Sequence, residues 1–415
     1  AQQLLAFARG GKYDPRVLNL NNVLQEIVRL QEHTIPPRIE LQHDLAEDLW
    51  NIKADVTQLG QIIMNLSINA VEATDGNLDA YNRLAQAALN GFSSNDEYFR
   101  IQGMNTDGTR NPAYERVLDV DNLIDYMLMT FFTGDKDGPG FTFTRPRPNN
   151  FFFFYKRTNP DGFKWLVHDS EHSLDTGDND MVNPLLTTSY PTYYESNTAH
   201  INPHWIHERL MDNAEYAQRF ADRAYQMYYN DGVLTEARNV ARVQQRAAEF
   251  DLAMIAESAR WGDAKRSTPR TQATWANAIN QVINWFPGRS DAVIGQFRGV
   301  DWYPDAAVPE FTVNGTWQHG GQIDTGDQVA IASTPPSVDV YYTLDGTDPR
   351  EIGGGTTAPL YANNSFSFTE TTTVAARSFD SGEWSALTQA TFYLDTPATA
   401  GNVAITDGHY KPYPP

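Results

Sequence analysis

The short run "HDSEH" at residues 168–172 concentrates charged side chains directly after the apolar stretch "FKWLV". The apolar stretch predicts a β-strand, which the charged run would close. Because side chains alternate along extended backbone, Asp169 and Glu171 would face the same side. Two such carboxylates could hold a metal ion or face a nucleotide. The structural alternative is that these polar residues cap a neighbouring helix, and the pattern alone leaves both possibilities open.

Further carboxylates and amides lie upstream of this run. Asp135 and Asp137 belong to "GDKD", which follows a predicted helix over residues 121–132. Asn149 and Asn150 directly precede a predicted β-hairpin, in which "NNFFFFYKR" and "FKWLVHDSEHSL" flank the turn sequence "TNPDG". The helix and the hairpin would therefore decide whether these side chains meet.

The remaining candidate sites carry weaker patterns. His168 and His172 lie four apart in an extended segment, which does not define a metal pair. "DTGDND" at 175–180 could attract Ca²⁺, but a solvated loop is favoured because the pattern is not that of an EF-hand. "RWGDAKR" at 260–266 could contact phosphate, although basic residues at a helix C-terminus are the favoured interpretation.

The surrounding sequence predicts a multidomain α+β protein. Helical patterns cover "HWIHERLMDNAEYAQRFADRAYQMYY", the segment after Thr235 and "TWANAINQVINWF". From about residue 310 to 395 the chain changes to short Thr-, Val- and Tyr-rich runs separated by turn residues. This change predicts a small β-sandwich, with Pro304 and Pro309 marking its boundary.

Residues 75–304 resemble the CotH kinase-like family. The resemblance lies in "DGNLDAYNRLAQAALNG", "NNFFFFYKR", "GFKWLVHDSEHSL" and "ESARWGDAKR", in this order. It implies ATP-dependent phosphoryl transfer with Mg²⁺, which requires a proton acceptor, an amide and carboxylates for the metal. By resemblance Asp135 or Asp137 is the catalytic aspartate and Asn149 or Asn150 the metal-binding asparagine. Asp169 and Glu171 take the place of the family's metal-binding W-D-x-D pattern, with Glu171 for its second aspartate and His168 for its tryptophan.

Two departures from that family affect the expected activity. The insertion "GPGFTFTRPRP" at 138–148 separates the catalytic aspartate from Asn149. The family's N-terminal lobe, which covers the nucleotide, should precede residue 75 but is not recognised there. We therefore expect this fragment to be inactive as a kinase.

Residues 1–74 instead resemble a sensor histidine kinase fragment. "NLSINAVEA" at 65–73 is similar to the N-box helix of the ATPase domain, and the resemblance implies that Asn69 helps hold the magnesium that bridges the nucleotide phosphates. The family's D-x-G-x-G segment is absent after Thr74, so we expect a truncated and inactive ATPase α/β fragment. The join near Thr74 and Gly76 predicts a chimera, either recombined or misassembled.

Residues 310–395 resemble the chitobiase/β-hexosaminidase C-terminal-like domain, a small Ig-like module. The carrying motifs are "VYYTLDGTDPR" and "TVAARSFDSGEWS". Aromatic residues here could stack carbohydrate, or they could form the core, which we favour; they are Tyr341, Tyr342, Tyr361 and Trp384. Residues 396–415 resemble the opening of a lamin-tail-like domain that is cut short.

Composition restricts the function further. The net charge of −21 and pI near 4.7 argue against a nucleic-acid binder, which needs a basic face to neutralise phosphates. Zero cysteines exclude disulfides, and no run is long enough for a membrane span. The favoured hypothesis is a secreted or cell-surface kinase-like fragment (residues 75–415) acting on a protein. One alternative is a non-catalytic surface protein that binds a partner or a cell-surface polysaccharide, and a second is a cytosolic sensor histidine kinase ATPase, which residues 1–74 resemble.

Overall fold

The computed structural model describes ten stretches of the chain. They are residues 15–31, 45–46, 49–56, 59, 78–142, 145–146, 149–174, 201–264, 266–333 and 335–394. The chain divides into two compact units, residues 1–80 and 81–415, and each is described by itself. No described helix is long and apolar enough to cross a membrane.

The first unit contains one helix and one small sheet among its described residues. Helix α1 (Leu20–Gln31) is amphipathic and buries Val23 and Ile27, as its periodicity predicts. Strand β1 (Arg16–Leu18) pairs antiparallel with β2 (Ile52–Ala54). The N-box helix and Asn69 lie outside the described residues, so the ATPase prediction stays a prediction.

The second unit begins with a mainly helical region arranged around one buried helix. Its described helices are α2 (Asp79–Asn90), α3 (Asn95–Ile101), α4 (Val120–Thr133), α5 (Pro203–Met211), α6 (Ala214–Tyr228), α7 (Glu236–Trp261), α8 (Gln272–Trp285) and α9 (Arg289–Arg298). Helix α4 is apolar on nearly every face, as expected of a helix surrounded by others. Leu123, Met127 and Phe131 on α4 are completely buried.

The helical pattern at 204–229 forms two helices rather than one. The break lies at Asn213, which begins α6: its Oδ1 accepts hydrogen bonds from the backbone N–H groups of Glu215 (3.0 Å) and Tyr216 (3.2 Å). Asn213 Nδ2 also donates to Asn95 Oδ1 at 3.1 Å, so the cap ties α6 to α3. Asparagine is a preferred residue at this position because its short side chain satisfies otherwise unpaired N–H groups.

We predict that Asn213→Ala lowers the free energy of unfolding by about 1–2 kcal/mol, the usual contribution of a helix N-cap. Asn213→Asp should retain most of the stability, since the carboxylate accepts the same two N–H groups. Urea denaturation followed by tryptophan fluorescence measures both variants. Equal stability of Asn213→Ala and wild type would contradict this account of the break.

The predicted β-hairpin forms, and it packs beside α4. Strand β5 (Phe151–Phe154) pairs antiparallel with β6 (Lys164–Val167). Asn122 on α4 fixes the hairpin: its Oδ1 accepts from Trp165 N–H at 2.6 Å, and its Nδ2 donates to Trp165 O at 3.3 Å. Gly162 lies just before β6 and has φ +95°. A Cβ at this position would lie 2.3 Å from Asp119 N, so only glycine fits.

The C-terminal region is a two-sheet β-structure, which agrees with the predicted Ig-like sandwich. One sheet has the order β10–β7–β8 and the other β11–β12–β14–β9, with β13 on β12. These strands are β7 (Glu310–Val313), β8 (Thr316–Trp317), β9 (Gly321–Ile323), β10 (Val329–Ala332), β11 (Asp339–Thr343), β12 (Thr372–Asp380), β13 (Glu383–Trp384) and β14 (Thr388–Leu394). Both sheets bury apolar side chains in one core, including Phe311, Val374 and Phe392.

The aromatic residues of this region belong to its packing. Tyr361 lies in the core and Tyr342 packs against it. Trp384 is 8% exposed, packs on Tyr341 with ring centroids 5.3 Å apart, and donates from Nε1 to Gly354 O. These positions support the core interpretation over a carbohydrate-stacking platform.

The sandwich is fixed to α6 by ion pairs of two buried arginines. The completely buried Arg377 contacts carboxylate oxygens of Asp222 and Asp348, each at 2.6 Å. Arg350 pairs with Glu215 through two hydrogen bonds of 2.7 and 3.0 Å. Because bidentate arginine–carboxylate pairs constrain orientation as well as distance, the sandwich is docked on the helical region.

Candidate active site

The candidate site begins where α4 ends. Gly134 adopts a left-handed conformation (φ +61°) and turns the chain out of the helix. The buried Arg289 holds this end: its Nε donates to Phe132 O at 2.7 Å and its Nη2 to Phe131 O at 2.8 Å. Its guanidinium also lies over the Trp285 ring, 4.5 Å from the centroid. A cation therefore satisfies the carbonyls at the negative end of the helix, immediately before the predicted catalytic residues.

The two predicted catalytic aspartates occupy different environments. Asp135 is 5% exposed, and its Oδ1 accepts a hydrogen bond from Asp137 N–H at 3.0 Å. Burial raises the pKa of Asp135, while hydrogen bonds from Asp137 N–H and Ser170 partly oppose that rise. Asp137 is only half-buried. Asp135 thus braces the loop, and Asp137 is the more accessible carboxylate.

Two asparagine side chains hold the Asp137 carboxylate. Asn149 Nδ2 donates to Asp137 Oδ1 at 2.7 Å, and Asn150 Nδ2 donates to Asp137 Oδ2 at 2.9 Å. Asn150 Nδ2 also lies 3.5 Å from Asp169 O. The predicted insertion does not keep these groups apart, because within it β3 (Phe141–Thr142) pairs with β4 (Arg145–Pro146) and the chain folds back.

The segment after β6 differs from its prediction. Strand β6 ends at Val167, Asp169 has φ +53°, and Ser173 N–H donates to Ser170 O in a turn. The expectation of extended backbone through Glu171 is therefore wrong, and alternation cannot align the two carboxylates. Asp169 and Glu171 are both exposed, and Glu171 Oε1 lies 3.8 Å from His172 Nε2.

Backbone hydrogen bonds bring this turn to the end of α4. Lys136 N–H donates to His172 O at 3.3 Å, and Leu174 N–H donates to Thr133 O at 2.8 Å. Asn150 has φ +44°, a left-handed conformation that asparagine tolerates better than most residues. Residues 133–137, 149–150 and 169–174 therefore converge on one place.

The oxygen atoms at this place suit a hard cation. Among the described residues, no three histidine, aspartate or glutamate side chains are grouped closely enough to hold a metal by themselves. Mg²⁺ does not require such a group, since it keeps several waters and binds one or two protein carboxylates plus phosphate oxygens. Asn150 donates from Nδ2 to Asp137, which leaves its Oδ1 for a cation, and the exposed Asp169 carboxylate supplies charge.

An exposed apolar face of the hairpin lies beside these groups. Phe152 and Leu166 are paired across the strands and are 56% and 51% exposed. His168 packs edge-on against Phe152, with ring centroids 4.4 Å apart. The sequence predicted this hairpin. It did not predict that Arg289 supports the end of α4 or that Ser170 hydrogen-bonds to Asp135, because no local motif contains these contacts.

Comparisons with known proteins agree with two parts of the sequence analysis. A family model described as CotH kinase protein matches residues 56–293, and one described as Chitobiase/beta-hexosaminidase C-terminal domain matches residues 318–389. The Sensor kinase CckA of Brucella abortus (strain 2308) is 42% identical over 72 residues, which are 17% of this chain and 8% of that relative. No solved structure matches the chain.

Proposed function

Because the chain belongs to the CotH kinase protein family, we propose that residues 133–174 form the catalytic-loop half of an ATP-dependent phosphoryl-transfer site. The observation that carries this proposal is the Asp137 carboxylate held between Asn149 and Asn150, with Asn150 beside Asp169. These are the groups that phosphoryl transfer requires: a carboxylate for the acceptor proton, and an amide and a carboxylate for the metal.

Each side chain has a distinct role in this proposal. Asp137 accepts the proton of the substrate hydroxyl, since it is reachable and its orientation is fixed by two amides. Asp135 is a positioning residue, because its buried carboxyl accepts the Asp137 N–H. Asn150 Oδ1 and the Asp169 carboxylate ligate Mg²⁺, with Glu171 as a further candidate ligand. When bound, Mg²⁺ supplies neutralisation of the phosphate charge.

The apolar hairpin face supports a nucleotide as the ligand. A nucleotide needs a flat apolar surface for its base within reach of the groups that hold its phosphates. Phe152 and Leu166 offer such a surface on two paired strands, of which one begins after Asn150 and the other ends before Asp169. We assign the adenine ring of ATP to this face and a protein hydroxyl to the Asp137 side.

Metal binding tests the site independently of turnover. Titration with Mn²⁺, followed by electron paramagnetic resonance, should show one bound ion that Mg²⁺ displaces. Asp169→Ala should weaken Mn²⁺ binding at least about tenfold, which corresponds to about 1.4 kcal/mol. Asp305→Ala, which changes a side chain that is 90% exposed, is the matched control and should bind as wild type does. Equal affinity in all three proteins would contradict the proposed site.

We also propose that this chain alone transfers little or no phosphate, because residues 1–74 resemble a different ATPase rather than a nucleotide-covering lobe. Labelled ATP with Mg²⁺ should give the same background transfer for wild type and Asp137→Asn. A wild-type excess of about 100-fold or more, the usual contribution of a general base, would contradict inactivity and support a working kinase.

The second candidate function is a non-catalytic surface protein, and the docked sandwich favours it. Arg377 and Arg350 fix the sandwich to α6 as one platform rather than leaving it on a mobile tether. We propose a secreted or cell-surface location for residues 75–415 in either case, supported by the acidic net charge of the whole chain (−21) and the appended module. The similarity to a sensor kinase supports a separate, cytosolic origin of residues 1–74.

A further inference from the structure

A cleft of about 830 Å³ lies between α6 and the edge of the sandwich formed by β9 and β14. This volume is within the range of ligand-binding clefts, roughly 300–1,000 Å³. The outer face of β14 forms one wall, because its odd-numbered residues from Gln389 to Tyr393 point away from the buried Ala390 and Phe392. The ion pairs of Arg377 hold this wall at a fixed place relative to α6.

A close backbone approach builds the floor of the cleft. Gly320 has φ +72°, and a Cβ there would lie 2.8 Å from Thr391 O. Glycine therefore lets the 319–321 segment lie directly against β14. His319, beside it, also lines the cleft.

Aromatic rings line both walls. On α6 and its C-terminal end, Tyr225 and Tyr229 stack with ring centroids 5.2 Å apart and an angle of 28° between the rings. On the sandwich, Tyr393 lines the cleft and is 54% exposed. Tyrosines present a flat apolar face together with a polar hydroxyl, which suits ligands whose surface alternates C–H and O–H groups.

The charges in the cleft favour a neutral ligand over an anionic one. Arg219 pairs with Asp121 at 2.6 Å, and Arg223 donates to both Asp125 oxygens at 2.6 and 2.9 Å. Both cations are thus neutralised by carboxylates. Asp231 adds a further negative side chain at the rim. A nucleotide or phosphate would therefore meet no unpaired arginine from this pair.

We propose that this cleft binds a neutral oligosaccharide. Tyr393 stacks on a sugar ring, and Asp231 accepts hydrogen bonds from sugar hydroxyls. Gln389 accepts through Oε1, since its Nε2 already donates to Gly346 O at 2.6 Å. Carboxylates and amides suit this role because they accept or donate at the spacing of vicinal hydroxyl groups. The site uses side chains of both the helical region and the sandwich, and none of the residues of the phosphoryl-transfer site.

The full chain is titrated by calorimetry with neutral hexasaccharides of glucose, N-acetylglucosamine, mannose and xylose. At least one should bind with a Kd of about 1 mM or tighter, and Tyr393→Ala should weaken that binding at least about tenfold. Phe250→Ala is the matched control, since Phe250 is 55% exposed on α7 and does not line the cleft. Asp231→Asn tests the polar contacts at a second, exposed position.

The outcomes separate this proposal from the kinase-like one. Binding that is lost in Tyr393→Ala, with unchanged Mn²⁺ binding, supports the cleft. The proposal is overturned if no neutral hexasaccharide binds, if Tyr393→Ala binds as Phe250→Ala does, or if hexagalacturonate binds more tightly than the neutral sugars.

Discussion

Replacing Arg377 with methionine is expected to lower the free energy of unfolding by about 3 kcal/mol. This is the lower end of the usual cost of breaking a buried ion pair, because the carboxylates left behind are 23% and 39% exposed. The Arg377 side chain is completely buried and contacts Asp222 and Asp348 at 2.6 Å each. Methionine fills much of the volume but leaves both carboxylates without their cation. Urea denaturation followed by tryptophan fluorescence measures the loss.

Two further variants identify its cause. Arg246→Met removes a surface pair, since the Arg246 side chain is 74% exposed beside Glu249, and should cost less than about 1 kcal/mol. Adding Asp222→Asn and Asp348→Asn to Arg377→Met should recover part of the stability, because the stranded charges disappear. If Arg377→Met costs no more than Arg246→Met, the ion pairs do not hold the sandwich on α6.

Local patterns in the sequence predicted much of the fold of the second unit. Helix α4 and the β5–β6 hairpin follow from apolar periodicity and from the "TNPDG" turn, which are short-range signals. The break at Asn213 was missed because apolar residues continue across it at helical spacing. Its local signal was present, since an asparagine followed by Ala-Glu is typical of a helix start.

The sequence predicted the order of the candidate site residues along the chain, but not their arrangement in space. The sequence placed Asp137, Asn150 and Asp169 on successive elements but left Asp135 and Asn149 as alternatives. The two aspartates differ in burial, and this difference distinguishes their roles. Burial depends on tertiary packing, which a local motif does not predict. The left-handed backbone at Asp169 likewise overrides the strand pattern before it.

Long-range contacts explain what else was missed. Arg289 supports the end of α4 across 157 residues of sequence, and Asn122 reaches Trp165 across 43. Such contacts form only when helices and strands that are distant in sequence pack together. The periodicity of a single sequence therefore cannot predict them.

Replacing Glu208 with glutamine is expected to change how stability depends on pH. Glu208 lies on α5, and its Oε1 is 3.9 Å from Nε2 of the buried His204. Burial raises the pKa of Glu208 from its usual 4.5 to about 8. The folded protein therefore favours the protonated carboxyl. Its contribution to stability is complete below about pH 4.5 and is lost as the pH rises through about 8.

Between these values each pH unit costs wild type about 1.4 kcal/mol, a cost that Glu208→Gln does not have. The stability of the variant relative to wild type should thus grow by about 2 kcal/mol from about pH 6 to about pH 8, because the slope flattens as the pH reaches the folded-state pKa. Chemical denaturation across this pH range measures the difference in unfolding free energy between the variant and wild type. The contributions of the other titrating groups cancel in this difference.

The acid side supplies the internal control for this comparison. Burial lowers the pKa of His204 to about 3 and lowers that of His207 as well, so both rings are neutral in the folded protein. Their contribution is complete above their usual pKa of 6.5 and is lost as the pH falls towards about 3. Because Glu208→Gln leaves both rings buried, the variant and wild type should both lose stability on acidification. Parallel stability curves above about pH 6 would show instead that Glu208 titrates as an exposed carboxylate does.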